Sequence, residues 1–225
     1  MGKASAMSRL PVGQFELGQM PRFGLPPFAY RLPESFPEPE FVFQDGERRP
    51  IRQVLQKLPR VEQVSDFHCV TGWSCSEVRW SGWRFSDLWD ELMDGETRQP
   101  RISLLGADGY RADLPLEYLC AGDVMLADSL NGLPLTPANG APLRLVVPAH
   151  YGYKSVKHLI GIRPMRGEGR RRSPLAGFFS HPLARVALEE RSGAGPGWMF
   201  RFLYRPLIGL NMRRFESGLS TGDGN

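Results

Sequence analysis

Proline and glycine interrupt this chain so often that its body must be built from short elements. The sequence contains 20 prolines and 25 glycines in 225 residues, a fifth of the chain, whereas globular proteins average roughly 12%. Proline removes a backbone donor and glycine weakens regular elements, so both tend to end a helix or strand. The pattern predicts many short strands joined by turns, with a few short helices, in preference to a helical bundle.

The remaining composition is typical of an ordinary globular protein. At 225 residues with 41% apolar side chains, the chain can bury a core without a disulfide or metal staple, and its three cysteines exclude a disulfide scaffold. It contains no run of about 18 apolar residues, so we expect no membrane-spanning helix. The first residues show no apolar export signal, and we therefore expect a cytoplasmic protein.

The formal charge of +4 is distributed unevenly. Residues 1–162 carry 17 basic and 19 acidic side chains, a net −2, whereas residues 163–225 carry 11 and 5, a net +6. The positive charge therefore belongs to the C-terminal segment, whereas a nucleic-acid-binding domain would carry it on the folded body. We expect no nucleic-acid partner.

Turn signals divide the chain into an N-terminal wrapping arm over residues 1–40, a compact domain over 41–165 and a basic, aromatic extension over 166–225. In the domain, turn residues separate short apolar runs that predict strands. Strands and helices do not alternate as in a βαβ protein, so we expect a mixed α+β fold. Residues 78–85, VRWSGWRF, show a hairpin pattern about Ser81-Gly82, and Ser86 can then cap a short helix.

The extension contains two segments of interest. Residues 182–191, PLARVALEER, favour a helix, and residues 198–215, WMFRFLYRPLIGLNMRRF, mix aromatic, aliphatic and arginine side chains. Pro206 and Gly209 should interrupt any continuous helix there, and residues 216–225 resemble a disordered end. The aromatic segment either docks to a membrane surface or protein partner, or packs on the domain with its arginines reaching into solvent.

The three cysteines are the natural candidates for metal ligands. Cys69 and Cys75 are six residues apart, which is not the spacing of a CxxC pair. A zinc site built from both thiols and His68 would lack an evident fourth ligand. Composition alone treats Cys75 and Cys120 as small buried apolar residues, and only its neighbours distinguish Cys69.

A second segment, residues 131–157, combines turns with fixed positive charge. Two Asn-Gly turns precede a strand that begins at Arg144, and Lys154 and Lys157 follow it. Glycines let a ligand approach the backbone, and an arginine suits bidentate recognition of a phosphate. From the residues alone, the segment is either an anion-binding surface or a solvated basic edge.

Two motifs resemble the molybdopterin-binding domain of the sulfite oxidase family. The first is DFHCVTGWS at 66–74, followed by VRWSG at 78–82 and a helix; the second is NGLPLTPANGAPLRLVVPAHYGYKSVKHLIGI at 131–162. The resemblance covers residues 40–165, more weakly 10–30, and points to the small single-domain bacterial members, including methionine-sulfoxide reductase catalytic subunits. It implies a sulfite-oxidase-type fold, a Mo-molybdopterin cofactor and two-electron oxygen-atom transfer.

By this resemblance, Cys69 is the thiolate ligand of molybdenum, beside the dithiolene sulfurs of one molybdopterin. A soft thiolate suits a metal already bound by sulfur, and coordination keeps the thiol deprotonated. His68 and Tyr151 are carried over as candidate catalytic residues. His68 either orients the site or is a buried, hydrogen-bonded histidine; Tyr151 either lines the approach to the metal or packs in the core.

The resemblance also implies a set of cofactor contacts. Two cations of the second motif would neutralise a phosphate, and neighbouring polar and backbone groups would hydrogen-bond pterin or phosphate. A turn aspartate and part of the arm, which otherwise only wraps the domain, complete the set. These residues are Asn139, Arg144, Ser155, Val156 and Lys157, with Asp108 and with Arg22, Phe23 and Gly24 of the arm.

The sequence departs from the larger members of the family, and these departures leave the substrate open. We expect no cytochrome domain ahead of the motifs, no dimerisation domain after them and no arginine cluster typical of sulfite oxidases. We therefore expect a small S- or N-oxide or sulfite-like substrate and an external electron-transfer partner. The competing hypothesis is a non-catalytic molybdopterin-binding or carrier module that docks to a membrane or redox partner through its basic extension.

Overall fold

The computed structural model describes residues 10–24, 26–94, 101–165, 178 and 180–220. For residues 218–220 it describes the backbone only. In this part of the chain, two sheets and several short helices form the α+β fold that the composition predicts. Within the same residues, no helix combines the length and the apolar character needed to cross a bilayer.

The first sheet is organised around one long strand. Its strands are β1 (Phe15–Glu16), β4 (Val61–His68), β5 (Trp73–Arg84), β8 (Met125–Leu130), β9 (Leu133–Pro134) and β10 (Arg144–Val146). The strand order is β1-β5-β8-β10, while β4 pairs with β5 and β9 with β8. The parallel pairing of β1 with β5 ties the arm to the domain.

The larger cluster of buried apolar side chains forms the main core, and the second sheet packs on it from the side opposite the first sheet. Its strands are β2 (Glu40–Val42), β3 (Arg48–Pro50), β6 (Arg101–Gly106), β7 (Arg111–Pro115) and β11 (Leu159–Met165). Their order is β3-β2-β11-β6-β7, with β11 parallel to β2 and the other pairs antiparallel. Strand β11, which begins within the second motif, is therefore the central strand of this sheet.

Five α-helices are described: α1 (Ile51–Leu55), α2 (Phe85–Met93), α3 (Leu116–Leu119), α4 (Gly197–Tyr204) and α5 (Leu207–Ser220). Three short 3-10 helices span Pro26–Phe28, Pro137–Asn139 and Gly152–Lys154. Helix α2 buries Phe85, Leu88, Trp89 and Leu92 at helical spacing against the main core. On the other face of the first sheet, a second cluster around Trp73 and Trp80 receives Ile208 of α5. The arm and the extension thus pack on the face that carries the first motif.

The hairpin predicted at Ser81-Gly82 is wrong. Strand β5 runs unbroken through both residues, and its register against β8 shifts at that point. Gly82 is required because β8 approaches so closely that a Cβ atom there would lie 2.0 Å from the carbonyl oxygen of Leu126. The glycine marks an irregularity within a strand and not a turn.

Three further local predictions need correction. Ser86 lies inside α2, which begins after Arg84 and has no side-chain cap. Residues 182–191 form turns and a bridge between Arg185 and His150, and not a helix. The helix is interrupted near Pro206 as predicted. Gly209, in contrast, lies within α5, which continues to Ser220. Residues 221–225 lie outside the described part, and the domain limits at 40 and 165 stay predictions.

Candidate functional site

Cys69 lies in the tight turn that joins β4 to β5. Its backbone N–H donates to the carbonyl oxygen of Trp73 at 2.8 Å, and its own carbonyl accepts from Gly72 at 3.1 Å. Gly72 has a φ of +117°, a conformation that favours glycine, and a Cβ atom there would lie 3.2 Å from the backbone oxygen of Gly13. The turn and the arm therefore hold this cysteine in one position.

The thiol of Cys69 is buried beside a hydroxyl group and near two cations. Its Sγ lies 3.2 Å from the Oγ1 of Thr71. Burial raises the pKa of Cys69 to about 11, whereas the hydrogen bonds with Thr71 and the charges of Arg191 and Lys157 act in the opposite direction. The thiol is thus protonated in the protein alone, while its surroundings support a thiolate once a metal replaces the proton.

Arg144 is a buried cation with few partners. Its Nη1 donates to the carbonyl oxygen of Asn139 at 2.9 Å, and its guanidinium lies 5.0 Å from the ring centroid of Phe67 and 5.1 Å from that of Trp80. Its Nε has no hydrogen-bond partner among the described residues, and no described carboxylate pairs with it. Burial lowers its pKa to about 10. A buried, unpaired cation is costly, so this one favours an anionic ligand.

Lys157 adds a second cation to the same region. Its Nζ donates to the carbonyl oxygen of Ala138 at 3.0 Å. Burial, together with the charges of Arg144 and Arg22, holds the pKa of Lys157 well below its usual value, and Asp108 opposes this shift. Lys157, Arg144 and Arg22 thus share this region with one carboxylate, that of Asp108. A bound phosphate would compensate the excess of positive charge.

These groups line two adjoining cavities of about 100 Å³ and about 70 Å³. Cys69 and Arg144 line the first, Asp108 lines the second, and Lys157 lines both. Helix α5 covers them: Asn211 lines the first cavity and Phe215 the second. Typical ligand pockets enclose about 300–1,000 Å³, so side chains of α5 or of the arm must yield to admit a ligand of pterin size.

Most of the predicted binding residues meet at these cavities. The structure places Arg22, Phe23, Gly24, Cys69, Asp108, Arg144, Ser155 and Lys157 along their walls. Asn139 contributes through its carbonyl, which positions Arg144. Val156 is buried in the main core, and its carbonyl accepts from the N–H of Leu145 at 2.9 Å.

Of the three predicted catalytic residues, Cys69 lines the first cavity, whereas His68 and Tyr151 lie near the turn but line neither cavity. His68 Nδ1 hydrogen-bonds the Oγ of Ser74 at 2.8 Å, and burial lowers its pKa. Tyr151 is fully buried with the guanidinium of Arg191 5.0 Å from its ring centroid. Burial raises the pKa of Tyr151 to about 12. Catalytic roles for both residues stay predictions.

Lys154 does not belong to the anion site. Its Nζ donates to the carbonyl oxygens of Asp113 at 3.1 Å and Pro182 at 2.7 Å, on the side that faces the extension. Zinc also gains no support, because the described residues contain no group of three or more histidine, cysteine, aspartate or glutamate side chains that could hold an ion.

Sequence reasoning missed three residues of the extension. Arg191 is fully buried against the turn, and Asn211 and Phe215 cover the cavities. Phe215 stacks on Phe23 with ring centroids 6.1 Å apart, and its carbonyl accepts from Arg22 at 2.9 Å. These residues lie in no motif, and only the packing of the extension brings them to the site.

The fold and the site together define a domain that can hold an anionic ligand and offer it one buried thiolate. Residues 49–171, more than half of the chain, match the oxidoreductase molybdopterin-binding domain family. The protein therefore belongs to this family, and its cofactor is Mo-molybdopterin. The family and fold inferred from the two motifs are confirmed.

Individual relatives agree with this membership. The chain is 40% identical over 110 residues to the uncharacterized oxidoreductase YuiH of Bacillus subtilis, covering 48% of this chain and 54% of that protein. It is 32% identical over 129 residues to the protein-methionine-sulfoxide reductase catalytic subunit MsrP of Xanthomonas campestris pv. campestris, covering 49% and 38%. The chain thus spans about half, or less, of the length of these relatives.

A solved structure shows the same fold. The sulfane dehydrogenase SoxCD from Paracoccus pantotrophus superimposes with a TM-score of 0.51 and 20% identity over 66% of this chain and 43% of that chain. At this identity, the likeness concerns the fold alone.

Proposed function

We propose that the protein is a Mo-molybdopterin oxidoreductase that performs two-electron oxygen-atom transfer on a small S- or N-oxide or sulfite-like substrate. One observation carries this proposal: the buried thiol of Cys69 and the unpaired cations Arg144 and Lys157 line adjoining cavities. When bound, the cofactor supplies the two-electron redox chemistry and the exchange of oxygen. The protein supplies the thiolate, the counter-charge and the enclosure.

The residues present fit this cofactor. Cys69 would ligate the metal, and the hydroxyl of Thr71 would hold its sulfur in place. Arg144, whose Nε is unsatisfied among the described residues, and Lys157 would bind the phosphate. Trp73, buried in the wall of the first cavity, would exclude water from the metal side.

An S-oxide is the first substrate class to test, because one relative is a protein-methionine-sulfoxide reductase catalytic subunit. We also propose an external electron-transfer partner, because two-electron oxygen-atom transfer must exchange its electrons with a second redox couple. We further propose a cytoplasmic location, which the three free thiols support because reducing compartments keep cysteines unpaired. Cell fractionation with an antibody tests the location.

The deciding experiment measures molybdenum in protein purified from a host that makes molybdopterin. We expect one molybdenum per chain in the wild type and a strong loss in Cys69→Ser, which removes the soft ligand. Cys75→Ser is the matched control, because Cys75 is also buried, and burial raises its pKa to about 11, but it lines neither cavity. A wild type without molybdenum, from a host whose other molybdenum enzymes are loaded, would overturn the assignment.

Activity separates the enzyme from a carrier. A reduced viologen dye with methionine sulfoxide tests reduction, and ferricyanide with sulfite tests oxidation. Partial reduction of the loaded protein should also give a paramagnetic Mo(V) signal. A loaded protein that neither turns over nor gives this signal is a carrier of the cofactor.

A further inference from the structure

Helices α4 and α5 bury one continuous stripe of side chains against the domain. The buried positions recur every three or four residues, so they lie on one helical face although the chain bends near Pro206. This stripe consists of Phe200, Tyr204, Ile208, Asn211 and Phe215. The domain therefore fixes the rotation of both helices and determines which side faces outward.

The outward side, which we name the tail face, is strongly apolar. Its large side chains are between 40% and 64% exposed, and they come from consecutive turns of the two helices. They are Trp198, Met199, Phe202, Leu203, Leu207 and Leu210. Monomeric soluble proteins rarely expose a contiguous apolar patch of this kind unless it binds something.

Positive charge is interspersed with this apolar surface. Arg205, Arg213 and Arg214 are exposed on the same two helices or on the bend between them. Within the described part of the chain, neither Arg213 nor Arg214 forms an ion pair. Glu216 is the single acidic residue between positions 197 and 220. The partner of the tail face should therefore be both apolar and anionic.

We propose that the tail face docks the protein onto an anionic lipid bilayer. A helix that lies in the membrane interface buries aromatic and aliphatic side chains in the headgroup region and keeps arginines at the level of the phosphates. The tail face has this composition, and Trp198 is of the type that prefers the interface. The helices would lie along the membrane surface, because the opposite side of α5 packs on the domain.

A second copy of the chain is a poorer occupant. A two-fold dimer through the tail face would place the same patch against itself. The three exposed arginines of each copy would then face those of the other, with one Glu216 per chain to offset them. Such like-charge contacts oppose association, whereas anionic lipid headgroups complement the same charges.

Docking of this kind would bring the cofactor cavities close to the membrane. Helix α5 presents Asn211 and Phe215 to the cavities and Leu207 and Leu210 to the outside. The diameter of one helix, about 10 Å, would therefore separate the cavities from the lipid. This arrangement suits an electron-transfer partner that resides in or on the membrane.

The test is cosedimentation of the full-length protein with vesicles. We expect binding to vesicles of equal parts phosphatidylglycerol and phosphatidylcholine, weak binding to phosphatidylcholine alone, and release by high salt. The fluorescence of Trp198 provides a second readout, because entry into the interface shifts its emission to the blue. Trp198→Phe removes that shift and identifies its source.

Two variants and two controls separate the apolar and cationic contributions. Arg213→Gln with Arg214→Gln should weaken binding about thirtyfold, since each cation near an anionic surface contributes roughly a fivefold affinity. Phe202→Ser should weaken binding to the same vesicles without changing its salt dependence. The controls are Arg111→Gln and Leu133→Ser, both at exposed positions outside the tail face, and we expect wild-type binding from each.

Each remaining outcome decides against the proposal. Failure to bind anionic vesicles at low salt overturns it, as does equal binding by the tail-face variants and their controls. Light scattering that shows a dimer dissociated by Phe202→Ser would assign the tail face to a second copy. All of these readouts are independent of molybdenum content and of activity.

Discussion

Arg191 donates from Nη1 to the carbonyl oxygen of Val70 at 2.5 Å, and Val70 is the residue that follows Cys69. The same guanidinium donates from Nη2 to the carbonyl oxygen of Val12 at 3.1 Å and pairs with Glu189 at 3.2 Å. Arg191 lies outside the matched residues 49–171. One buried side chain of the extension therefore holds both the cysteine turn and the arm.

Replacement of this arginine should destabilise the protein and loosen the turn. Arg191→Gln removes two hydrogen bonds to backbone carbonyl oxygens and the ion pair of a fully buried guanidinium with Glu189, and we expect a loss of about 3 kcal/mol in the free energy of unfolding. Arg185→Gln is the matched control, because its ion pair with Glu190 is more exposed and should contribute less to stability than the buried contacts of Arg191. Urea unfolding of both variants measures the difference.

A positioning role for Arg191 predicts a second effect. Molybdenum per chain should fall in Arg191→Gln even where the variant is fully folded, and should stay at the wild-type level in Arg185→Gln. If the two variants lose the same stability and the same molybdenum, Arg191 does not position the turn.

Arg144 should affect the empty and the loaded protein in opposite directions. Without an anion, its cation is buried among Phe67 and Trp80 and no described carboxylate pairs with it. Arg144→Met keeps the side-chain volume and removes the charge, so we expect cofactor-free protein to gain roughly 1–3 kcal/mol of stability. The same variant should lose most of its molybdenum, because it lacks a phosphate contact.

Lys154→Met is the matched control for this prediction. Lys154 is also buried, but its Nζ donates to the carbonyls of Asp113 and Pro182. Its loss should therefore destabilise the cofactor-free protein and leave molybdenum binding unchanged. Thermal unfolding measures the stability of both cofactor-free variants, and elemental analysis measures their molybdenum content. If Arg144→Met is less stable than the wild type without cofactor, the prediction is wrong.

The buried histidines predict a loss of stability in mild acid. Burial lowers the pKa of His68, His150 and His158 below 6.5. Each is neutral in the folded protein and takes up a proton more readily when unfolded, so its stabilising effect is complete above pH 6.5 and is lost as the pH falls below it. Each histidine therefore adds to the loss of folding stability as the pH falls below 6.5.

His158 provides the direct test of this pH dependence. Its Nδ1 lies 2.6 Å from the carbonyl oxygen of Ala141, and the amide of His158→Gln can still donate to that oxygen. We expect the variant to lose less stability than the wild type between neutral pH and about one unit below the histidine value of 6.5. Urea unfolding at both pH values decides this, and identical losses would assign the acid sensitivity to other groups.

The sequence predicted those parts of the site whose chemistry is local. Cys69, Arg144 and Lys157 were identified because a soft ligand and phosphate-binding cations belong to recognisable motifs, and the structure brings them to adjoining cavities. Arg191 and Phe215 were missed because no local pattern distinguishes a buried arginine or phenylalanine of the extension from an exposed one. Their burial depends on tertiary packing, which places the extension over the first motif.

The fold shows the same division between local and distant causes. Turn chemistry correctly indicated the reversal at Asn131-Gly132, where both residues have positive φ. At Ser81-Gly82 a similar pattern was misleading. The glycine is needed there because β8, a strand more than forty residues away in sequence, approaches its backbone closely. Alternation about a glycine cannot distinguish a turn from the close approach of a neighbouring strand.

Gly82→Ala tests this explanation. A Cβ atom at position 82 would lie 2.0 Å from the oxygen of Leu126, a rigid backbone atom within the sheet, so β5 and β8 must separate. We expect a loss of about 3 kcal/mol in the free energy of unfolding. Gly122→Ala is the control, because a Cβ there meets nothing within 4 Å, and it should change stability by about 0.5 kcal/mol or less. If both alanine variants unfold at the same urea concentration, the two strands do not approach as described, and the hairpin interpretation of residues 78–85 gains support.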